Sequence, residues 1–190
     1  MTFEVLLDTC VLYPPTLCDT LLRIAENGAF EPRWSAEVLV ELERNLATIE
    51  SVGREGAHAR ITAMTGAFPN ATVAAYEQLL DDMPGHPDDA HVMAAAIVSR
   101  CQVIVTANLK HFPGPELGQW GLTVSHPDAF LLDQLELHPR ETLLALQNQS
   151  RESSRPSLST PQLLASLRRT GVPRFAAAVA RLRSQGVHDD

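Results

Sequence analysis

An α/β fold with a mostly parallel central sheet is the architecture this sequence calls for. Short, nearly continuous apolar runs alternate with longer segments of helical period. The runs Phe3–Asp8 and Cys101–Ala107 read as buried strands of a parallel sheet. After residue 138 no further strand pattern appears, so a small helical appendage is expected there.

Phe3–Asp8 reads as a buried strand that ends in an acid. Pro14-Pro15 punctuates it, and Leu17, Leu21, Leu22, Ile24 and Ala25 recur at helical spacing until Asn27-Gly28 stops the helix. Phe30–Trp34 is a second strand candidate. Ser35 is a natural N-cap, followed by Val38, Leu39, Leu42 and Leu46 on one face. A helix is expected over about 52–68 and a strand over 71–75. The Met83–Pro87 loop precedes a helix over 89–100, with Asp88 expected as its cap. Cys101–Ala107 is the clearest buried strand, 108–118 a loop, Leu122–Ser125 a last strand and Asp128–Leu137 the last helix of the body.

His138-Pro139 marks a change in composition, and the expected domains are 1–138 and 139–190. Arg140–Asn148 reads as helical and Arg151–Ser159 as a polar linker. Thr160-Pro161 opens a helix to about Arg169, Arg174–Ser184 is a final amphipathic helix, and His188–Asp190 is expected to fray. The appendage is too short to be stable alone.

The chain of 190 residues is long enough to bury a full core, with about 70% of its unfolded surface covered. No apolar run reaches the roughly 18 residues of a membrane span, which argues against a membrane protein. The beginning of the sequence reads as a strand rather than a signal peptide. Three cysteines without a Cys-x-x-Cys pattern fit a reducing cytoplasm. Residues 1–138 carry 7 basic and 19 acidic side chains; residues 139–190 carry 8 Arg and 4 acids. An acidic body repels a phosphate backbone unless metal ions stand between them, and a basic tail attracts it.

In an open parallel sheet, sites form beyond the carboxyl ends of the strands. Asp8 ends the first strand, Asn108 follows the run Val103–Ala107, and Asp88 and Asp89 open the helix leading into that run. Glu41 falls near the edge of an apolar helical face. Gathered carboxylates repel one another unless a hard divalent cation neutralises them, and oxygen-only ligands suit Mg²⁺ or Mn²⁺. Taken singly, each residue also has a plainer reading: strand-end cap, solvated helix position, first-turn acid or turn residue. There is no Walker A loop, no Gly-x-Ser-x-Gly, no His-Glu-x-x-His, and no Asp-x-Asp pair of a phosphatase. His86 and His91, which flank Asp89, read as surface residues, and Cys10, Trp34 and Trp120 as core.

In order, Leu6-Leu7-Asp8-Thr9, Ser35 with Glu41-Leu42 and Leu46, Asp89 with Val92 and Ala96, and Val105-Thr106-Ala107-Asn108 with Phe112-Pro113 resemble a PIN domain. The resemblance covers about residues 3–135 and is closest to the VapC-type toxins of bacterial toxin–antitoxin pairs. Thr160-Pro161-Gln162-Leu163-Leu164 and Gly171-Val172-Pro173-Arg174-Phe175 resemble the C-terminal extension of one VapC subgroup. The resemblance implies a three-layer α/β/α fold and a cytoplasmic Mg²⁺- or Mn²⁺-dependent endoribonuclease that leaves 5′-phosphate and 3′-hydroxyl ends. It implies an RNA substrate, a cognate antitoxin as partner, and leaves a homodimer open. Carried over by position, Asp8, Glu41 and Asp89 are the metal-binding carboxylates, Thr9 follows the first acid, and Thr106 is the supporting hydroxyl. The pattern's fourth acid falls on Asn108, and an acid often found before the Phe is His111 here. The first departure favours one tightly held ion, with a second recruited by substrate phosphate; His111 is expected to cap a loop or to hydrogen-bond a phosphate. The rival reading is a PIN-like protein that has lost catalysis and binds RNA or a partner.

Overall fold

The computed structural model describes residues 3–152 and 158–184. The expected fraying of 188–190 and the middle of the expected linker, 153–157, lie outside the described residues. Contacts gather the described chain into two compact units. One holds residues up to Tyr13 together with 30–126, and the other holds 14–29 together with the residues from Pro127 onward.

The first unit is built on five parallel strands: β1 (Glu4–Leu7), β2 (Glu31–Ser35), β3 (Thr72–Val73), β4 (Val103–Val105) and β5 (Thr123–Ser125), in the order β3-β2-β1-β4-β5. The sheet order reverses at β1, which lies between β2 and β4 with Leu6 opposite both Arg33 and Ile104. The crevice at such a reversal, beyond the strand ends, is where open sheets bind ligands. Val5, Leu6, Leu7, Ile104 and Val105 are fully buried, as expected for strands covered on both faces.

Five helices accompany this sheet: α1 (Thr9–Leu12), α3 (Ala36–Ala47), α4 (Gly53–Ala67), α5 (Ala90–Val98) and α6 (Gly114–Leu117); α2 is described below. The α3 and α4 helices pack together, and α5 packs on β1, β2 and β4. Every residue of α5 from Ala90 to Ala96 is buried, and four of those seven are Ala. Small side chains let a helix lie close to a sheet. The result is the α/β/α arrangement expected, with all four strand pairings parallel.

Ser35 caps α3 as expected, its hydroxyl accepting the Val38 N–H at 3.1 Å. Asp88 does not cap α5. A 3-10 turn, Pro87–Asp89, precedes the helix, and it is the His86 ring that accepts the Asp88 N–H. The Asp88 side chain is left in solvent, since Pro87 starts the turn one residue earlier than the helical pattern shows.

The second unit is all-helical: α2 (Pro15–Glu26), α7 (Pro127–Leu137), α8 (Pro139–Glu152), α9 (Thr160–Arg169) and α10 (Pro173–Ser184). Buried Thr20 donates to Gln149 Oε1 at 2.7 Å, and Arg23 pairs with Glu152 at 2.7 Å, tying α2 to α8. The buried carboxylate of Asp128 accepts the backbone N–H groups of Arg174 and Phe175 at 3.2 and 2.8 Å, so α7 supplies the cap of α10. Phe175, Ala176 and Val179 are buried. Among the described residues no helix is long and apolar enough to cross a membrane.

Candidate active site

Asp8 stands where β1 ends and α1 begins. Its backbone N–H still pairs with the Val105 carbonyl at 3.2 Å, while its own carbonyl accepts from Val11 and Leu12. The side chain is only 4% exposed. Its Oδ2 accepts the Thr106 hydroxyl at 2.7 Å and the Cys10 thiol at 3.0 Å. Burial pushes the Asp8 carboxyl above its ordinary range, the Cys10 and Thr106 hydrogen bonds pull it back, and the charge of Asp89 pushes it further up. Burial, followed by the charge of Asp8, raises the Cys10 thiol to about 12. Cys10 is therefore a neutral hydrogen-bond donor at the site and not a nucleophile. The sequence reading placed it in the core; it is half-buried and lines the cleft.

The next residue, Thr9, donates its hydroxyl to Glu41 Oε2 at 2.8 Å. This bond brings α3 to the end of β1. Glu41 has a further neighbour in His91, whose Nε2 lies 3.8 Å from Oε1. His91 is buried, not on the surface, and its Nδ1 lies 2.7 Å from the Ser35 hydroxyl. The helix cap, a buried imidazole and a site carboxylate thus form one chain of polar contacts.

Thr106 is fully buried and reaches the site through Asp8. Its oxygen also accepts the Asn108 N–H at 3.0 Å, which fixes the turn after β4. Asn108 itself is exposed. Asp8, Thr9, Cys10, Tyr13, Glu41, Asn45, Thr48, Asp89 and Asn108 line one cleft of about 480 Å³. Asp8, Thr9, Glu41, Asp89 and Asn108, all singled out from the sequence, therefore share this cleft, and Thr106 supports it through its bond to Asp8.

Sequence reasoning missed the residues around Asp89. Its Oδ2 lies 2.8 Å from His111 Nδ1, and the rings of His111 and His86 are stacked with centroids 4.9 Å apart. His111, read as one of two departures from an acidic pattern, contacts a site carboxylate directly. His86, three residues before Asp89, was the available local signal, but 22 residues separate His111 from Asp89.

The donor set of Asp8, Glu41 and Asp89 is all oxygen and fits Mg²⁺ or Mn²⁺. Burial and the charge of Asp89 both disfavour the Asp8 anion, and a cation held beside it would favour that anion.

Comparison with known proteins bears on the family of this fold. Residues 4–110 match the PIN domain family, and residues 127–181 match the VapC50 C-terminal domain. The chain is 40% identical over 129 residues to a protein of Mycobacterium tuberculosis (strain ATCC 25618 / H37Rv) named "Putative ribonuclease VapC50", covering 66% of this chain and 75% of that one. No solved structure matches the chain. With five parallel strands ending at a carboxylate-lined cleft and more than half of its length matched, the chain belongs to the PIN domain family and carries a C-terminal segment of VapC50 type.

Proposed function

We propose that the protein is a Mg²⁺- or Mn²⁺-dependent endoribonuclease and the toxin of a toxin–antitoxin pair, acting in the cytoplasm. The observation that carries this reading is the convergence of Asp8, Glu41 and Asp89, from three distant parts of the sequence, on one cleft at the sheet's reversal point. The name of the M. tuberculosis relative supports the ribonuclease assignment.

Asp8, Glu41 and Asp89 would hold the ion, which when bound polarises a phosphoryl oxygen and lowers the pKa of water. The chain's own groups prepare that site. The Thr106 hydroxyl and the Cys10 thiol orient Asp8, and Thr9 orients Glu41. Asn108, uncharged at the mouth of the cleft, offers an amide oxygen to a water or a donor to phosphate.

The antitoxin is expected to place an Arg or Lys among the carboxylates, replacing the cation with a charge-assisted hydrogen bond. Purified protein incubated with total RNA and Mg²⁺ or Mn²⁺ should cleave it, chelator should stop cleavage, and the product of the neighbouring gene should silence it in a stable complex. RNA left intact under every metal condition, but still retained by the protein, would favour the rival reading of a binding protein.

A further inference from the structure

We propose that His86, Asp89 and His111 form a second cation position, with nitrogen ligands, that takes a borderline transition ion of the Zn²⁺ or Co²⁺ class rather than Mg²⁺. Each residue offers one ligand atom, and the three atoms lie within 4.8 Å of one another. His111 Nδ1 lies 2.8 Å and His86 Nδ1 4.0 Å from the same oxygen, Asp89 Oδ2. Two imidazoles and one carboxylate suit Zn²⁺ or Co²⁺, while Mg²⁺ prefers oxygen alone. Three protein ligands leave a coordination position open.

The backbone holds the two loops together before any ion arrives. The His86 N–H donates to the His111 carbonyl at 3.3 Å. Gly85 has φ +91°, and a Cβ there would collide with the His111 carbonyl oxygen and the Pro113 ring. Only glycine permits this approach, so the segment before α5 and the turn after β4 meet in one place. His86 and His111 are partly exposed, so their rings can turn toward a shared ion at low cost. His86 Nδ1 takes a long bond from the Asp88 N–H at 3.3 Å and lies 3.8 Å from Asp88 Oδ2, whose side chain is exposed, so neither contact holds the ring tightly.

The position does not duplicate the carboxylate set. Asp89 belongs to both, with Oδ2 toward the imidazoles and its charge felt at Asp8. The proposal rests on the nuclease reading only through that shared residue. In this arrangement one carboxylate is shared between an all-oxygen set and a nitrogen-rich one.

The test is direct metal binding by the metal-free full-length chain, with excess Mg²⁺ present to fill the all-oxygen position. Co²⁺ is titrated and its visible absorption recorded; Zn²⁺ is then added as competitor. One equivalent of Co²⁺ should bind and be displaced by Zn²⁺. His86→Ala and His111→Ala should each weaken binding by more than about tenfold, since loss of a ligand costs no less than loss of its outer partner. His58→Ala, which alters an exposed pair with Glu43, should change nothing. His111→Asp, which keeps a ligand but makes it oxygen, should lower affinity for Co²⁺ relative to Mn²⁺. Circular dichroism of each variant establishes that it is folded. Absence of Co²⁺ binding over the Mg²⁺ background, or binding that survives the double His→Ala variant, overturns the proposal. Neither result depends on RNA cleavage: a protein that binds Co²⁺ here yet never cleaves RNA retains this site and loses the nuclease reading, and the converse holds equally.

Discussion

Thr106 donates its hydroxyl to Asp8 Oδ2 at 2.7 Å across the adjacent strands β1 and β4, and both side chains are buried. The bond satisfies a carboxylate that water barely reaches, and the Thr106 hydroxyl oxygen in turn accepts the Asn108 N–H at 3.0 Å. Thr106→Val keeps the shape and removes both functions. It should destabilise the protein by about 1–3 kcal/mol in urea unfolding, because the buried Asp8 carboxylate and the part-buried Asn108 N–H each lose a partner. RNA cleavage should slow in parallel, and Thr106→Ser should restore both. A Val variant equal to the parent in stability and rate would mean that the bond positions nothing.

Asp8 also sets a pH dependence. Its carboxyl is raised by burial and by Asp89, so the folded protein holds that proton more firmly than the unfolded chain does. The resulting stability is fully present below the ordinary carboxylate pKa of about 3.9 and is lost as pH rises through the folded value. In the metal-free protein, the difference in melting temperature between Asp8→Asn and the parent should therefore widen in favour of Asn as pH rises from about 4 to neutrality. Saturating Mg²⁺ should narrow it by stabilising the parent. Asp8→Asn and Asp89→Asn should each lower RNA cleavage by more than about 100-fold while the fold persists. Cleavage by Asp89→Asn at the parent's rate with saturating Mg²⁺ would refute the carboxylate assignment.

Asn108→Asp tests the uncharged member of the cleft. The position is exposed, so the added charge carries little desolvation cost. Activity should persist, and the Mg²⁺ concentration for half-maximal cleavage should fall, because one more anionic oxygen faces the ion. An unchanged metal dependence would show that the side chain points elsewhere.

Ser35 joins fold and site. Its hydroxyl caps α3 and lies 2.7 Å from His91 Nδ1, and His91 Nε2 lies 3.8 Å from Glu41. Ser35→Ala should cost about 2 kcal/mol, the sum of a lost cap and an unpartnered buried ring nitrogen. It should also raise the metal requirement by loosening Glu41. Ser35→Thr keeps the hydroxyl and should recover the metal requirement at least in part; failure to do so would confine Ser35 to a structural role.

Much of this was legible in the residues. Strands such as Val103–Val105 announce themselves by buried apolar runs, and the Ser35 cap by its place before Val38, Leu39 and Leu42. Those signals are local, and local chemistry sets them. The acids at strand ends and helix starts were legible because an open sheet brings such ends together. Which helix packs on which was not. Charge composition changes at residue 138, whereas packing gathers α2 and α7 with the helices beyond it, through contacts such as Thr20 to Gln149 and Asp128 to Phe175. Helical period reports that a face is buried and not what buries it. The His86–Asp89–His111 group was hidden for a similar reason: its members meet only because Gly85 lets two loops touch.

The basic C-terminal segment carries the last prediction. Arg168 and Arg169 are exposed in the final turn of α9, and Arg174, Arg181 and Arg183 are exposed on α10. Deleting the segment from about residue 150 cannot isolate their role, because Leu163, Leu167, Phe175 and Val179 are buried in their unit and the remainder would expose its core. That truncation should aggregate or melt early. Arg168→Glu with Arg169→Glu leaves the buried face untouched. It places two acids at a helix C-terminus, which should cost about 1 kcal/mol by the helix dipole. If the two guanidinium groups each neutralise a phosphate of single-stranded RNA, the slope of log affinity against log salt should become shallower by about 1.4. Cleavage at sub-saturating RNA should fall in step with affinity, while the Mg²⁺ dependence stays that of the parent. An unchanged salt slope with unchanged cleavage would assign these arginines to solvation of the helical unit and remove them from RNA binding.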